Sequence, residues 1–154
     1  MGTGEEKRDF VILLLGQTNF FFSQPADRKR LLDGLRKAGL AELPSGYDYA
    51  LLKRLNGEEI KALVFGHEFR GRLAETNQPY TRITAADGTA TVLIGDTSTQ
   101  ATTQIEGDDV ICTFHVIRGR ACAAIFRDPA GTPQAMNEYL WIIPFYHFEF
   151  SIVQ

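Results

Sequence analysis

From Glu68 to the C-terminus the chain repeats one pattern: short stretches of alternating apolar and polar residues, each cut off by a turn signal. A period of two sends successive side chains to opposite faces, so such stretches form strands with one buried face. Tyr80–Thr84 and Ala90–Ile94 flank Ala86-Asp87-Gly88, a hairpin signal because glycine supplies the positive φ that the turn requires. Thr99–Ile105 and Val110–Val116 flank a second turn, Glu106-Gly107-Asp108-Asp109, after the polar break Gly95–Ser98. Arg118-Gly119-Arg120 marks a third, and Asp128–Pro133 separates Phe126 from the last two strands, Glu138–Ile143 and Phe145–Val153. Pro144 stands between these as a bend, bulge or edge marker. In the final strand Tyr146, Phe148, Phe150 and Ile152 share one side, while His147, Glu149 and Ser151 share the other. Roughly seven or eight strands with short links predict an antiparallel meander, sandwich or barrel.

Ahead of this run the pattern is helical. A hydrophobic lead-in, residues 1–25, ends at Pro25, and residues 26–154 read as a single domain, a size that buries a core without obligatory staples. Asp27 is an N-cap for a helix with Leu31, Leu32, Leu35 and Ala38 on its apolar face and Gly39 at its end; its basic far face is a solvated one. A second helical piece is expected over Tyr47–Leu55. A third starts at Asn56, with Glu59 completing a capping-box-like pair, Ile60, Leu63 and Val64 on its apolar face, and Gly66 closing it. Helices this short must dock on the strands. The lead-in run Phe10–Leu15 has three readings: a buried segment, a degenerate export or anchor segment, or a cloning remnant. It falls far short of the roughly 20 apolar residues of a transmembrane helix.

The net charge is −3 and the pI about 5.6. A chain without a broad basic field has little with which to neutralise phosphates, which excludes nucleic acid as the natural partner.

Chemistry-bearing motifs are few. The two cysteines, Cys112 and Cys122, lie nearly opposite across the third hairpin and share a face. Three readings stand, a disulfide that pins the register, a pair of free core thiols, and metal or redox chemistry; a bonded pair favours a periplasmic or membrane-proximal location over a cytoplasmic one. Of the three histidines, His147 and Glu149 share a strand face, with His115 as a third ligand from a neighbouring strand. That face lies opposite the aromatic one, so a solvated surface is expected, with no metal. The hydroxyl-rich run Thr97–Thr103 has no histidine at a nucleophile's spacing, and there is no Gly-x-Ser-x-Gly or phosphate-cradling loop. Arg70, Arg72 and Arg82 are placed together around a barrel mouth as an anion site. No cofactor and no catalytic residue are assigned.

Several segments together carry a resemblance: Leu31–Leu40, Leu55-Asn-Gly-Glu-Glu-Ile-Lys-Ala-Leu-Val-Phe-Gly66, Ala86-Asp87-Gly88, Ile105-Glu-Gly-Asp-Asp-Val-Ile-Cys112, Cys122 and Asn137-Glu-Tyr139. Residues 30–154 resemble the C-terminal β-rich, lipocalin-like domain associated with proteobacterial adenylate/guanylate cyclases that carry tetratricopeptide repeats, which also occurs as stand-alone proteins. The resemblance implies an accessory or sensory domain in which Cys112 and Cys122 have a paired structural role. The chain has no cyclase catalytic segment and no such repeats, so cyclase activity does not transfer.

The fold expected is α+β, with short N-terminal helices packed on an antiparallel meander sheet curled into a small lipocalin-like β-barrel. The leading function is a non-enzymatic ligand-binding or regulatory module. Its small apolar or aromatic ligand would sit in a pocket lined by Tyr80, Phe114, Tyr139, Trp141, Phe148 and Phe150. The rivals are a curved-sheet enzyme with Tyr80, His115 or Tyr139 as a pocket-buried acid or base, and a structural module that pairs with a protein partner or a second copy through Phe20–Phe22 and the last strand.

Overall fold

The computed structural model describes residues 44, 46–48, 50–116, 119–143 and 146–154. The lead-in 1–25, the helix expected from Asp27 and the Pro144 bend lie outside the described residues. The described chain forms β1 (Lys53–Arg54), α1 (Gly57–Val64), β2 (His67–Leu73), β3 (Pro79–Thr84), β4 (Thr89–Ile94), β5 (Thr97–Glu106), β6 (Val110–His115), β7 (Gly119–Arg127), β8 (Tyr139–Ile142) and β9 (His147–Ile152). From β2 to β9 each strand pairs antiparallel with the next, and β9 returns to β2, so eight strands close into an up-and-down barrel. Closure leaves no sheet edge in the ring. With a single eight-residue helix among the described residues, the domain is mostly β rather than α+β.

The turns form where the sequence signals them. At Gly88 the backbone takes φ 94°, and the Asp87 carboxylate accepts hydrogen bonds from both Thr89 N (2.9 Å) and Thr89 Oγ1 (2.7 Å). These bonds favour the ionised form and hold the Asp87 carboxyl below its ordinary pKa. Residue partners place Cys112 directly opposite Cys122, with Cα atoms 4.1 Å apart, and the two sulfurs are bonded. The disulfide reading therefore stands and the free-thiol reading falls.

The second expected helical piece does not form. Gly46 and Tyr47 lie in a bend, the Asp48 carbonyl and side chain take up Leu51 N (3.0 Å) and Ala50 N (3.1 Å), and Lys53–Arg54 form β1. The competing attraction is tertiary. β6 follows β7 only as far as Ala123, and β1 pairs with Phe126 and Arg127 beyond it. Arg54 then reaches Asp109 beside the β5–β6 turn at 3.2 Å.

The third expected helix forms as α1. Asn56 Oδ1 accepts from Glu59 N at 2.9 Å, which satisfies an otherwise orphan first-turn donor, while the Glu59 carboxylate pairs with Lys53. Ile60 and Val64 are fully buried and join Phe69, Ile111, Ile125 and Phe150 in one core. The helix is tied at both ends, by Gly57 N to Asp108 O (2.6 Å) and Gly66 N to Thr84 O (2.8 Å). It therefore lies over the barrel end that carries the β3–β4 and β5–β6 turns and plugs it.

Cross-strand partners share a face, so the register sorts the inside of the wall from the outside. Phe69, Gly71 and Leu73 face inward with Ile152, Phe150 and Phe148 on one side, and Phe69 and Gly71 with Arg82 and Tyr80 on the other. Around β6–β8 both faces are covered: Cys122–Phe126 and Leu140–Ile142 are runs of consecutive buried residues. Strands buried on both faces lose alternation and read as continuous apolar stretches.

Candidate functional site

At the end of the barrel away from α1 the interior is not filled. A cavity of about 180 Å³ lies there, lined chiefly by Tyr80, Arg82, Thr113, His115, Trp141 and Phe148, and it reaches the surface beside the exposed Tyr146. Among the described residues no aspartate or glutamate lines it.

Arg82 is the unusual member. In β3, Tyr80, Arg82 and Thr84 point inward while Thr81 and Ile83 point out, so the strand hides a charge and exposes an isoleucine. Arg82 is only 2% exposed. Its Nε donates to Thr84 Oγ1 (3.0 Å), Nη1 to Thr113 Oγ1 (3.3 Å) and Nη2 to Thr103 Oγ1 (2.6 Å). The indole of Trp141 lies 4.6 Å from the guanidinium carbon, a cation–π distance. Hydroxyls satisfy donors but do not neutralise charge, and among the described residues no carboxylate pairs with Arg82. A buried cation without a counter-charge is costly.

Tyr80 packs beside it, stacked on Phe148 with ring centroids 4.1 Å apart. Burial pushes the Tyr80 phenol above its ordinary pKa, while the Arg82 guanidinium, by its charge and a hydrogen bond, pulls the other way. Tyr80 therefore holds its proton and is a poor general base. His115 faces inward at the mouth, 3.4 Å from Thr99 Oγ1. Arg120 forms part of the cavity wall, but its charge is taken by Glu106.

Of the residues expected to line a pocket, Tyr80, Trp141 and Phe148 border the cavity. Phe150 faces inward but packs in the filled part of the core, stacked on Phe69 (4.4 Å) and Tyr139 (5.4 Å). Phe114 lies on the other face of the wall, grouped with Val110 and the cystine, with the Arg120 guanidinium 5.8 Å from its ring centroid. Its position two residues after Cys112 carries it to the disulfide side.

The three arginines do not converge. Register sets Arg82 opposite Phe69, on the inner face, so Arg70 and Arg72, each one residue from an inward position, point outward. Arg70 pairs with Glu68 and Arg72 with Glu149.

His147 and Glu149 are on the outer face as expected, but they are buried rather than solvated. His147 Nδ1 meets Glu75 Oε1 at 2.7 Å, and its Nε2 meets the Tyr47 hydroxyl at 2.9 Å. Tyr47 also donates to Glu149 Oε1, while Arg72 Nε and Nη2 donate to Glu149 Oε2 at 3.0 and 2.9 Å. Alternation alone did not reveal this cover, because Tyr47 and Glu75 come from segments outside the strand pattern. The one described cluster of metal-ligating residue types, Glu106 with Cys112 and Cys122, offers no thiolate, since both sulfurs are in the disulfide. No helix among the described residues is long and apolar enough to cross a membrane.

No family model, no curated protein and no solved structure matches the chain.

Proposed function

We propose that this chain is a non-enzymatic ligand-binding or regulatory module of lipocalin-like character, whose barrel takes a small apolar or aromatic molecule. One observation carries the reading: a closed barrel, plugged at one end by α1, keeps an aromatic-lined cavity at the other. Cavities of about 150 Å³ with apolar walls accept a single aromatic ring, so one of about 180 Å³ suits a ligand of that size. Tyr80, one of the three residues that an enzymatic role would draw on, holds its proton and is a poor base. The motif resemblance to the domain that follows certain cyclases supports an accessory, sensory use.

Trp141 is the only tryptophan and borders the cavity, so it is a built-in reporter. Titration with neutral one-ring compounds such as benzyl alcohol, benzamide and indole is expected to change its emission saturably. Ala121→Leu, which fills the cavity, is expected to abolish that change. Failure of every such ligand to saturate the signal overturns the reading.

A further inference from the structure

We infer that the ligand of this barrel carries a carboxylate, anchored on Arg82; this rests on the reading of the barrel as a binding module. Three observations converge on it. The first is charge. Arg82 is almost completely buried and lines the cavity, and no carboxylate of the described chain pairs with it. Arg120, the other arginine in the lining, is already neutralised by Glu106. The missing counter-charge is therefore located at one point, inside the cavity.

The second is donor geometry. Three threonines, one each from β3, β5 and β6, each take one N–H of the guanidinium. The guanidinium has five such donors, so two remain on Nη1 and Nη2, one of them shared with the Tyr80 hydroxyl and directed to the same cavity. A carboxylate presents two oxygens to a guanidinium, and the bonds it accepts there are among the stronger ones available. The threonines and the Trp141 ring hold the planar group in place before any ligand arrives, which lowers the ordering cost of binding. Tyr80 adds a protonated phenol beside the same group.

The third is size and the character of the remaining wall. Around Arg82 the apolar part of the lining is Val92, Ile94, Trp141, Ile143 and Phe148, which suits one apolar ring or a short aliphatic body. One uncompensated guanidinium matches a monoanion. A phosphate dianion would call for a second cation, and Arg120, the other arginine of the lining, is taken by Glu106.

The test compares isosteres on the purified full chain: benzoate against benzamide and benzyl alcohol, followed by Trp141 emission and by the NMR shift of its indole N–H. Benzoate is expected to bind at least about tenfold more tightly than benzamide, the factor that corresponds to one hydrogen bond to a charged group. In Arg82→Met that preference is expected to vanish while benzyl alcohol binding persists. Arg82→Lys keeps the charge without the planar fork and is expected to retain part of the preference. The native-chain comparison decides the matter even if neither variant folds.

If benzamide binds as well as benzoate, the carboxylate anchor is wrong and the binding module survives. If none of the three binds, the binding module itself fails and the anchor with it. An undiminished benzoate preference in Arg82→Met overturns the assignment to Arg82. Inorganic phosphate competing with benzoate at equal concentration overturns the choice of a carboxylate.

Discussion

Arg72 and Arg82 lie on the two strands of one hairpin and on opposite sides of one wall, and they are solved differently. Outside, Arg72 meets Glu149 through two hydrogen bonds, Glu149 also accepts from Tyr47, and Tyr47 meets His147, which meets Glu75. That network supplies its own counter-charges. Inside, Arg82 has threonine hydroxyls and an indole face but, among the described residues, no anion. A complete outer network reads as structure, whereas an incomplete inner one reads as a place held for something else. Burial sharpens the contrast: Arg72 is half exposed and water screens it, while Arg82 has no such relief.

The largest expected effect removes the closure on which this contrast depends. Gly71 sits between Tyr80 and Phe150 in register, and a Cβ there would run into the Glu149 carbonyl. Gly71→Ala is therefore expected to destabilise the fold by at least about 3 kcal/mol, read from the urea midpoint, because backbone cannot yield as a flexible side chain does. An unchanged midpoint would mean that β2 and β9 do not pair this closely.

Next comes the outer network. Glu149→Ala deprives Tyr47 and Arg72 of their acceptor, and a loss of about 2 kcal/mol is expected, discounted for the exposure of Arg72. The inner arginine should behave in the opposite sense. Arg82→Met removes an uncompensated buried charge, so without ligand the melting temperature is expected to hold or rise, with a change in stability within about 1 kcal/mol of neutral or favourable. A loss of several kcal/mol would show that Arg82 is structural and would erase the contrast with Arg72.

The smallest effect is in the pH profile. The folded-state pKa of Tyr80 is raised, so its proton is held more tightly in the folded chain than in the unfolded one. Below the ordinary tyrosine value of 10.0 both states keep the proton and the full stability is present. As pH rises past that value the unfolded state releases its proton first, and stability falls until the folded phenol ionises as well. Tyr80→Phe is expected to flatten the alkaline limb of stability against pH; an identical slope in the variant would place the phenol in water.

Much of the fold was legible in local pattern. The hairpins at Gly88, Gly107 and Gly119 fall where the turn residues stand, each with a positive φ, and α1 begins at the Asn56 cap. The pairing of Cys112 with Cys122 follows from counting outward from a short turn. The candidate site was legible only in part. Tyr80, Trp141 and Phe148 stand out in the sequence as aromatic residues, whereas basic charge groups Arg82 with Arg70 and Arg72. The available signal was parity: Arg82 shares a face with Tyr80 two residues away. Charge outweighed it because an arginine is rarely buried without a partner.

The sequence by itself determined where the hairpins of the barrel wall fall, which residues share a face, and how the cysteine hairpin is registered. These are short-range consequences of a two-residue period and of glycine in turns. Only the tertiary structure decided which face of β3 turns inward, that Lys53–Arg54 becomes a strand instead of a helix, and that His147 and Glu149 are covered. Each of those depends on what another segment does: β9 closing onto β2, β6 leaving the far part of β7 to β1, and Tyr47 and Glu75 arriving over β9. Alternation specifies two faces without saying which is inside, and it takes closure of the barrel to settle that.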